Sequence, residues 1–417
     1  MKKRPLHIGF VSTRIAGTDG VSLEIAKWAQ VLEGMGHQCF YFAGQCDRPE
    51  ERSYVVPEAF FQHPEVLALT RDLFDDYRRS SETSGRVQAL RYLLKCHLYR
   101  FRERFDLNLL IAENALSLPV HIPLGLALTE FVAETEIPTV AHHHDFAWER
   151  VRFARSAAED YLRAAFPPTL PSIVHVTISS FAARQLALRT GVSSLVIPNV
   201  MDFDHPPPLP DEVTAQVRQA LGIPDGVYFI LQPTRVVPRK RIEQAIELVR
   251  RLDLPAVLVV SHRAGDEGLA YQTYLAEVAS LLGVQVLFAG EFFAYHRHTR
   301  PDGQPVFSLA DAYANADLVT YPSAVEGFGN AFLEAIYYRR PLVMSAYEIF
   351  RTDIQPKGFK VVAFEGFVDD ATVAAARRLL TDPEWAASQA EHNYRVAQRH
   401  FSYRTLEVAL AHLLQRC

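Results

Sequence analysis

Cysteine is scarce, with four in 417 residues (Cys39, Cys46, Cys96, Cys417) and no C-x-x-C pair among them. A disulfide framework or a zinc ribbon needs tighter grouping, so free thiols in a reducing compartment are expected. Long apolar runs are also missing, and nothing approaches the 18 or so residues of a membrane span. Nor is there a surplus of one charge. The net charge of −5 is the opposite of the basic excess usual in a dedicated nucleic-acid binder. No short-period repeat is visible, and 49% hydrophobic with 22% charged residues excludes wholesale disorder, a coiled coil or a collagen-like fibre. The opening Met-Lys-Lys-Arg-Pro resembles the n-region of a signal peptide. Only Leu6 to Val11 follow it, interrupted by His7, before polar residues return, which reads as a first strand in a cytoplasmic protein.

What is present is a length suited to two domains of about 200 residues each. Continuously apolar strand signals alternate with amphipathic helices. Leu6–Val11 is followed by a polar loop to Gly20 and a helix with Val21, Ile25, Trp28 and Leu32 on one face. Further strands are expected at 38–43, 108–112, 138–141, 173–179 and 195–198. After the stiff Pro206-Pro207-Pro208-Leu209-Pro210 the pattern restarts, at 227–232, 256–261, 285–290, 317–321, 341–345 and 360–364. Strands without alternation belong to parallel sheets covered on both faces. The fold class is therefore α/β, with two doubly wound Rossmann-like domains facing across a cleft: residues 1–205, residues 206–395, and a terminal helix at 396–417 packing back toward the first domain. Ligands of such sheets lie beyond the carboxyl ends of the strands.

The most informative stretch runs from Ala316 to Ala335. A strand ends at Tyr321-Pro322, and Glu326-Gly327-Phe328-Gly329-Asn330 leads into a helix bearing Glu334. Bare amides at a helix start suit phosphate or sugar oxygens, and the two glycines admit a ligand closely. On a continuous helix, eight residues rise about 12 Å, too far for two carboxylates acting on one bond. Glu326 and Glu334 are better placed to hold opposite ends of a long ligand; the bland alternative is a surface helix with two solvated glutamates. Arg235 and Lys240 stand five apart in another strand-to-helix loop, set to converge on an anion, with Arg239 and Arg241 read as surface charges. Gly17-Thr18-Asp19-Gly20 forms a third such loop. His142-His143-His144-Asp145 follows a short strand and invites a metal, but neighbouring residues on extended chain face opposite ways, so no metal site is expected. Asp202-Phe203-Asp204 is read as part of a turn and hinge with Asn199, again without metal.

The 316–335 segment resembles the E-x7-E signature of the large retaining glycosyltransferase family 4, also described as glycosyl transferases group 1, whose architecture is GT-B. The resemblance implies that Glu326 contacts a donor sugar, Glu334 binds a ribose, and the amides of Gly327, Phe328, Gly329 and Asn330 meet sugar or diphosphate. It implies that Arg235 and Lys240 neutralise the departing nucleotide diphosphate and that His144 lies beside the sugar ring. Gly17, Thr18, Asp19 and Gly20 stand where the family often has a glycine pair facing donor phosphates and acceptor; Thr and Asp between the glycines are a departure. Val200 likewise replaces the glycine of the family's P-N-G-V-D turn. The function implied is retaining transfer of a hexose, glucose or mannose, from GDP-mannose or UDP-glucose to a hydroxyl, without a required cofactor or divalent metal. The segment 113–136 with 142–150 is similar to enzymes acting on small solutes such as glucosylglycerate. A lipid or polysaccharide acceptor is the alternative, because residues 71–104 hold nine Lys or Arg against five Asp or Glu and some family members dock on membranes by such helices. A solvated helix pair is the favoured reading of that stretch. Two other classes share the fold: a sugar-nucleotide epimerase and an inactive sugar-nucleotide binding module.

Overall fold

Strands β1 (His7–Val11), β2 (Gln38–Ala43), β3 (Ser53–Val55), β4 (Leu109–Glu113), β5 (Thr139–His143), β6 (Ile173–Thr177) and β7 (Leu195–Val196) form one sheet, in the order β3-β2-β1-β4-β5-β6-β7. The structure is a computed structural model that describes residues 5–17, 19–264, 269–294 and 296–417. The basic residues 2–4 and Thr18 lie outside these. Every pairing in the sheet is parallel, with Phe10 opposite Tyr41 on one side and Ile111 on the other. Both faces are covered, which is why the strands lack alternation. Ile8, Phe10, Leu109 and Ile111 pack with Trp28 and Leu32 of α1 (Gly20–Gly34), while Val11, Leu110 and Ala112 pack with Leu98 and Phe101 of α2 (Ser81–Phe105).

Strands β8 (Tyr228–Gln232), β9 (Ala256–Val260), β10 (Gln285–Phe288), β11 (Leu318–Tyr321), β12 (Leu342–Ser345) and β13 (Val362–Phe364) build a second parallel sheet, in the order β10-β9-β8-β11-β12-β13. Helix α3 (Ile242–Leu252) buries Ile242, Ile246, Val249 and Leu252 against it, at helical spacing. The helix that leads away from β11 is α4 (Asn330–Tyr337).

The chain divides into one unit holding residues up to Val200 together with Tyr403–Cys417, and a second holding Met201–Ser402. The crossings fall at Val200 and Ser402 rather than at the proline run or residue 396. Packing explains both positions. Phe203 is fully buried, with its ring 5.3 Å from that of Tyr394 and 5.8 Å from that of Tyr337, so the chain joins the second unit before the prolines begin. Helix α5 (Pro383–Phe401) runs unbroken within that unit. The last helix, α6 (Tyr403–Leu413), then buries Leu406, Leu410 and Leu413 in the cluster that contains Trp28 and Ile25 of α1. Small sheets, of Arg14–Ile15 with Gln45–Cys46 and of Phe293–Ala294, His298–Thr299 and Pro305–Ser308, complete the strands. Among the described residues, no helix is long and apolar enough to cross a membrane.

Candidate active site

Each sheet has one place where strand order reverses: between β1 and β4 in the first unit, between β8 and β11 in the second. Connections leave such a point in opposite directions, so a crevice opens at the carboxyl ends of those two strands. The Gly17–Gly20 loop follows β1 and Glu113 ends β4. In the second unit Arg235 and Lys240 follow β8, and Glu326 follows β11.

In the second unit the two strand ends are tied by side chains. Thr320 Oγ1 donates to Gln232 Oε1 at 2.8 Å, and Gln232 Nε2 donates to Thr234 Oγ1 at 2.8 Å. Beyond them the chain makes a 3-10 turn, Pro238–Lys240, and the Lys240 ammonium pairs with Glu326 Oε1. Both side chains are nearly buried, 9% exposed each. Arg239 Nη1 approaches the other oxygen, Glu326 Oε2, at 3.7 Å. Burial alone would raise the Glu326 carboxyl, but the Lys240 charge and hydrogen bond, with Ser323 and Arg239, together outweigh it and hold the group below its ordinary value, so Glu326 is an anion at neutral pH. Burial lowers the Lys240 ammonium. Arg235 is exposed, and its guanidinium makes no ion pair with any described residue. It is a cation with its donors unspent. Two residues beyond β9, burial, with the Lys240 and Arg235 charges, holds the His262 imidazole down at about 4.

The loop from Glu326 to α4 is shaped by Gly329. Its φ is +119°, and a Cβ there would sit 2.2 Å from Tyr347 Oη. Only glycine combines that backbone with that approach. Tyr347 Oη donates to the Phe328 carbonyl at 2.8 Å, pinning the loop. No side chain caps α4, and the Phe332 amide donates to the Gly329 carbonyl at 3.0 Å. The Phe328 ring turns inward, edge-on to Phe401 at 5.4 Å, which leaves only its backbone for a ligand. Glu334 lies on the second turn and accepts a hydrogen bond from Tyr313 Oη at 2.8 Å. Because the helix starts at Asn330, Glu326 sits in the loop before it, and the 12 Å rise of a continuous helix does not apply.

In the first unit Gly17 has φ +75°, and its N–H donates to Asp47 Oδ2 at 2.8 Å. Asp19 caps α1: its Oδ1 accepts from the amides of Val21 and Ser22, both at 3.2 Å, and Arg14 lies 3.2 Å from Oδ2. Gly20 is the first helical residue. At the neighbouring strand ends Glu113 is paired in register with His142. His144 Nε2 lies 2.9 Å from Glu113 Oε2, and His142 Nδ1 lies 3.0 Å from the same oxygen. Burial opposes the charge on Glu113 and on His144, but His142 and then His144 together hold Glu113 at about 2, and Glu113 with Glu24 and Asp145 raises His144. His143 faces the other way, 2.9 Å from His175. Alternation along the strand thus separates His143 from its neighbours but leaves His142 and His144 on one face. Asp145 pairs with Arg150 at 2.8 Å.

Residues 213–396 match the family described as glycosyl transferases group 1. Over 97% of this chain and 99% of the relative, the sequence is 34% identical to a mannosylglucosylglycerate synthase of Thermotoga maritima. The chain is a group 1 glycosyltransferase. A mannosylglucosylglycerate synthase of Petrotoga mobilis is 33% identical over 86% of each chain. The crystal structure of a glycosyltransferase from Rickettsia africae superposes with a TM-score of 0.68 at 12% identity, covering 99% of this chain and 98% of that one, and the fold is GT-B.

In this glycosyltransferase Lys240 and Glu326 are in direct contact, and Arg235 acts electrostatically on Lys240. Glu334 and the Gly327–Asn330 loop follow in the same segment, and the Gly17–Gly20 loop and His144 belong to the first unit. Three residues escaped the sequence reading. Arg239 was set aside as a surface charge, but the 3-10 turn brings it to Glu326. Glu113 was noted only for its position; the register with His142 supplies its chemistry. His262 lies two residues beyond a strand end, and that position was the available signal.

Buried histidines give the transferase an acid-side weakness. His121 Nδ1 accepts from the Leu124 amide at 3.1 Å while Nε2 donates to the Glu58 carbonyl at 2.8 Å, an arrangement that only the neutral ring can make. Burial holds His121 and His175 at about 4 and His143 well below its ordinary value. Unfolded, these rings take up protons near 6.5; folded, His121 and His175 do not until about 4, and His143 is also held well below its ordinary value. Stability therefore falls as pH drops from about 6.5 toward 4, by up to about 1.4 kcal/mol per pH unit per ring. The raised His144 opposes this alone, while His142 and His262 are lowered as well and add to the fall. A melting series from pH 7.5 to 4.5 should show Tm falling from about pH 6.5 downward. A Tm that stays flat to pH 4.5 would contradict the assignment.

Proposed function

We propose that this enzyme transfers mannose from a nucleotide diphosphate mannose, GDP-mannose before UDP-glucose as donor, to a hydroxyl of glucosylglycerate, with retention at the anomeric carbon. The observation that carries this reading is the near end-to-end similarity to two mannosylglucosylglycerate synthases. Arg235 and Lys240 meet the diphosphate, with the amides of Gly327, Phe328, Gly329 and Asn330. Glu326 and His144 hold the sugar, and Glu334 holds the ribose. The Gly17, Thr18, Asp19 and Gly20 loop serves donor phosphates and acceptor, so the first unit is the acceptor domain and the second the donor domain. In the transfer, the bond between C1 and the phosphate oxygen breaks with its electron pair going to the diphosphate. The acceptor oxygen forms its bond to C1 from the same face and passes its proton to the departing phosphate oxygen. Two guanidinium or ammonium charges at the leaving group supply what a divalent ion would supply there, so the chemistry requires no metal at the diphosphate.

The enzyme works in the cytoplasm on a small dissolved acceptor. In support, Arg86, Arg91 and Lys95 of α2 are already paired with Glu65, Asp72, Glu130 and Glu134, leaving less free positive charge for a membrane surface. The test crosses GDP-mannose, UDP-glucose and ADP-glucose with glucosylglycerate, glycerate and no acceptor, reading nucleotide release and product mass. GDP release that depends on glucosylglycerate, with an α-mannoside formed, is expected. Nucleotide release with altered free sugar and no acceptor would instead indicate an epimerase, and binding without turnover an inactive module.

A further inference from the structure

We propose that Glu113, His142 and His144 form a binding site for one divalent ion of the zinc class in the first unit. Their ligand atoms all lie within 4.8 Å of one another, the only group of His, Cys, Asp or Glu among the described residues that converges in this way. Two imidazoles and one carboxylate are the donor set that suits zinc or cobalt rather than magnesium, which prefers oxygen alone. The scaffold is rigid: Glu113 and His142 are register partners on neighbouring parallel strands, and His144 is two residues on, on the same face as His142.

A second observation points to a ligand. His142 is fully buried and stacked on Trp28 at 4.2 Å, yet among the described residues neither of its ring nitrogens has a hydrogen-bond partner; Nδ1 is 3.0 Å from Glu113 without the alignment of a hydrogen bond. Glu113 Oε1 is likewise buried without a partner among the described residues. Buried polar atoms left unpaired in one cluster are costly, and a cation would satisfy them together. Glu24 acts electrostatically on both His142 and His144, as a carboxylate behind metal-bound histidines does. With Nε2 of His144 committed to the ion, Nδ1 is the nitrogen left to meet a ligand, so the ion would fix that ring's orientation.

The experiment uses the full chain, stripped with a chelator and titrated with Co²⁺ as a spectroscopic stand-in for zinc. One saturating equivalent should produce the visible absorption of a low-coordinate cobalt site, and Tm should rise by roughly 5–10 °C when free Co²⁺ is about 100 times Kd. His142→Ala should abolish both. Because that change opens space beneath Trp28, the isosteric Glu113→Gln provides a second variant, which should lose the band while keeping the apo fold by circular dichroism. No saturable band in the wild type, or the same band and Tm rise in Glu113→Gln, would overturn the site. The readout does not depend on sugar transfer, so it stands or falls apart from the proposed reaction.

Discussion

Lys240→Ala should lower kcat by about 10²–10³-fold, with a loss of folding stability alongside. The catalytic part is the cation that would meet charge developing on the departing diphosphate, an interaction strongest in the transition state. The stability part has a different origin. Lys240 and Glu326 are a nearly buried ion pair, and removing one member leaves the Glu326 carboxylate short of its main counter-charge. Breaking a buried pair this way costs about 3–5 kcal/mol, and Arg239, 3.7 Å from Glu326 Oε2, recovers some of it. The two effects can be separated. In Lys240→Met with Glu326→Gln no charge is stranded, so Tm returns most of the way while transfer stays lost. A double variant that recovered transfer would show that neither group acts in catalysis. Steady-state kinetics beside thermal melts on the three proteins decide it.

Gly329→Ala is the second large effect, and it acts through the backbone. At φ +119° an alanine is strained wherever it sits, and here its Cβ would overlap Tyr347 Oη. The loop must open, displacing the backbone that leads into α4. Transfer should fall by at least about 100-fold, since displacement of about 1 Å at a reacting centre has that effect. Tyr347→Phe in the Gly329→Ala background removes the overlapping oxygen but not the backbone strain, so it should rescue only part. Tyr347→Phe alone loses one hydrogen bond to Phe328, roughly 1 kcal/mol. Full activity in Gly329→Ala would mean that the loop does not touch the donor.

The main sheets were legible because strands buried on both faces leave continuous apolar runs, as in Leu109–Ala112 and Val257–Val260. The short edge elements left no such trace. Ser53–Val55 has three residues, with Val55 half exposed, and the pairing of 293–294 with 305–308 depends on tertiary packing. The crossing between units was displaced from the prolines by Phe203, whose anchoring rings come from Tyr337 and Tyr394, more than 130 residues away in sequence. Among site residues, Glu326 and Lys240 could be picked out by motif, but their direct pairing could not, because it joins loops from β8 and β11. Glu113 was hidden for the same reason. Its meaning comes from the strand register, which places it opposite His142. Asp19 was taken for a loop residue facing ligand, whereas local chemistry makes its carboxylate the N-cap of α1.

The most direct test of the donor site is the affinity of GDP and GMP for the wild type and for Arg235→Ala, by calorimetry at one ionic strength. If Arg235 grips the distal phosphate, the wild type should bind GDP at least about 10-fold more tightly than GMP, about 1.4 kcal/mol. Arg235→Ala should erase most of that preference and leave GMP affinity nearly unchanged. An undiminished preference for GDP in Arg235→Ala would contradict the site as drawn.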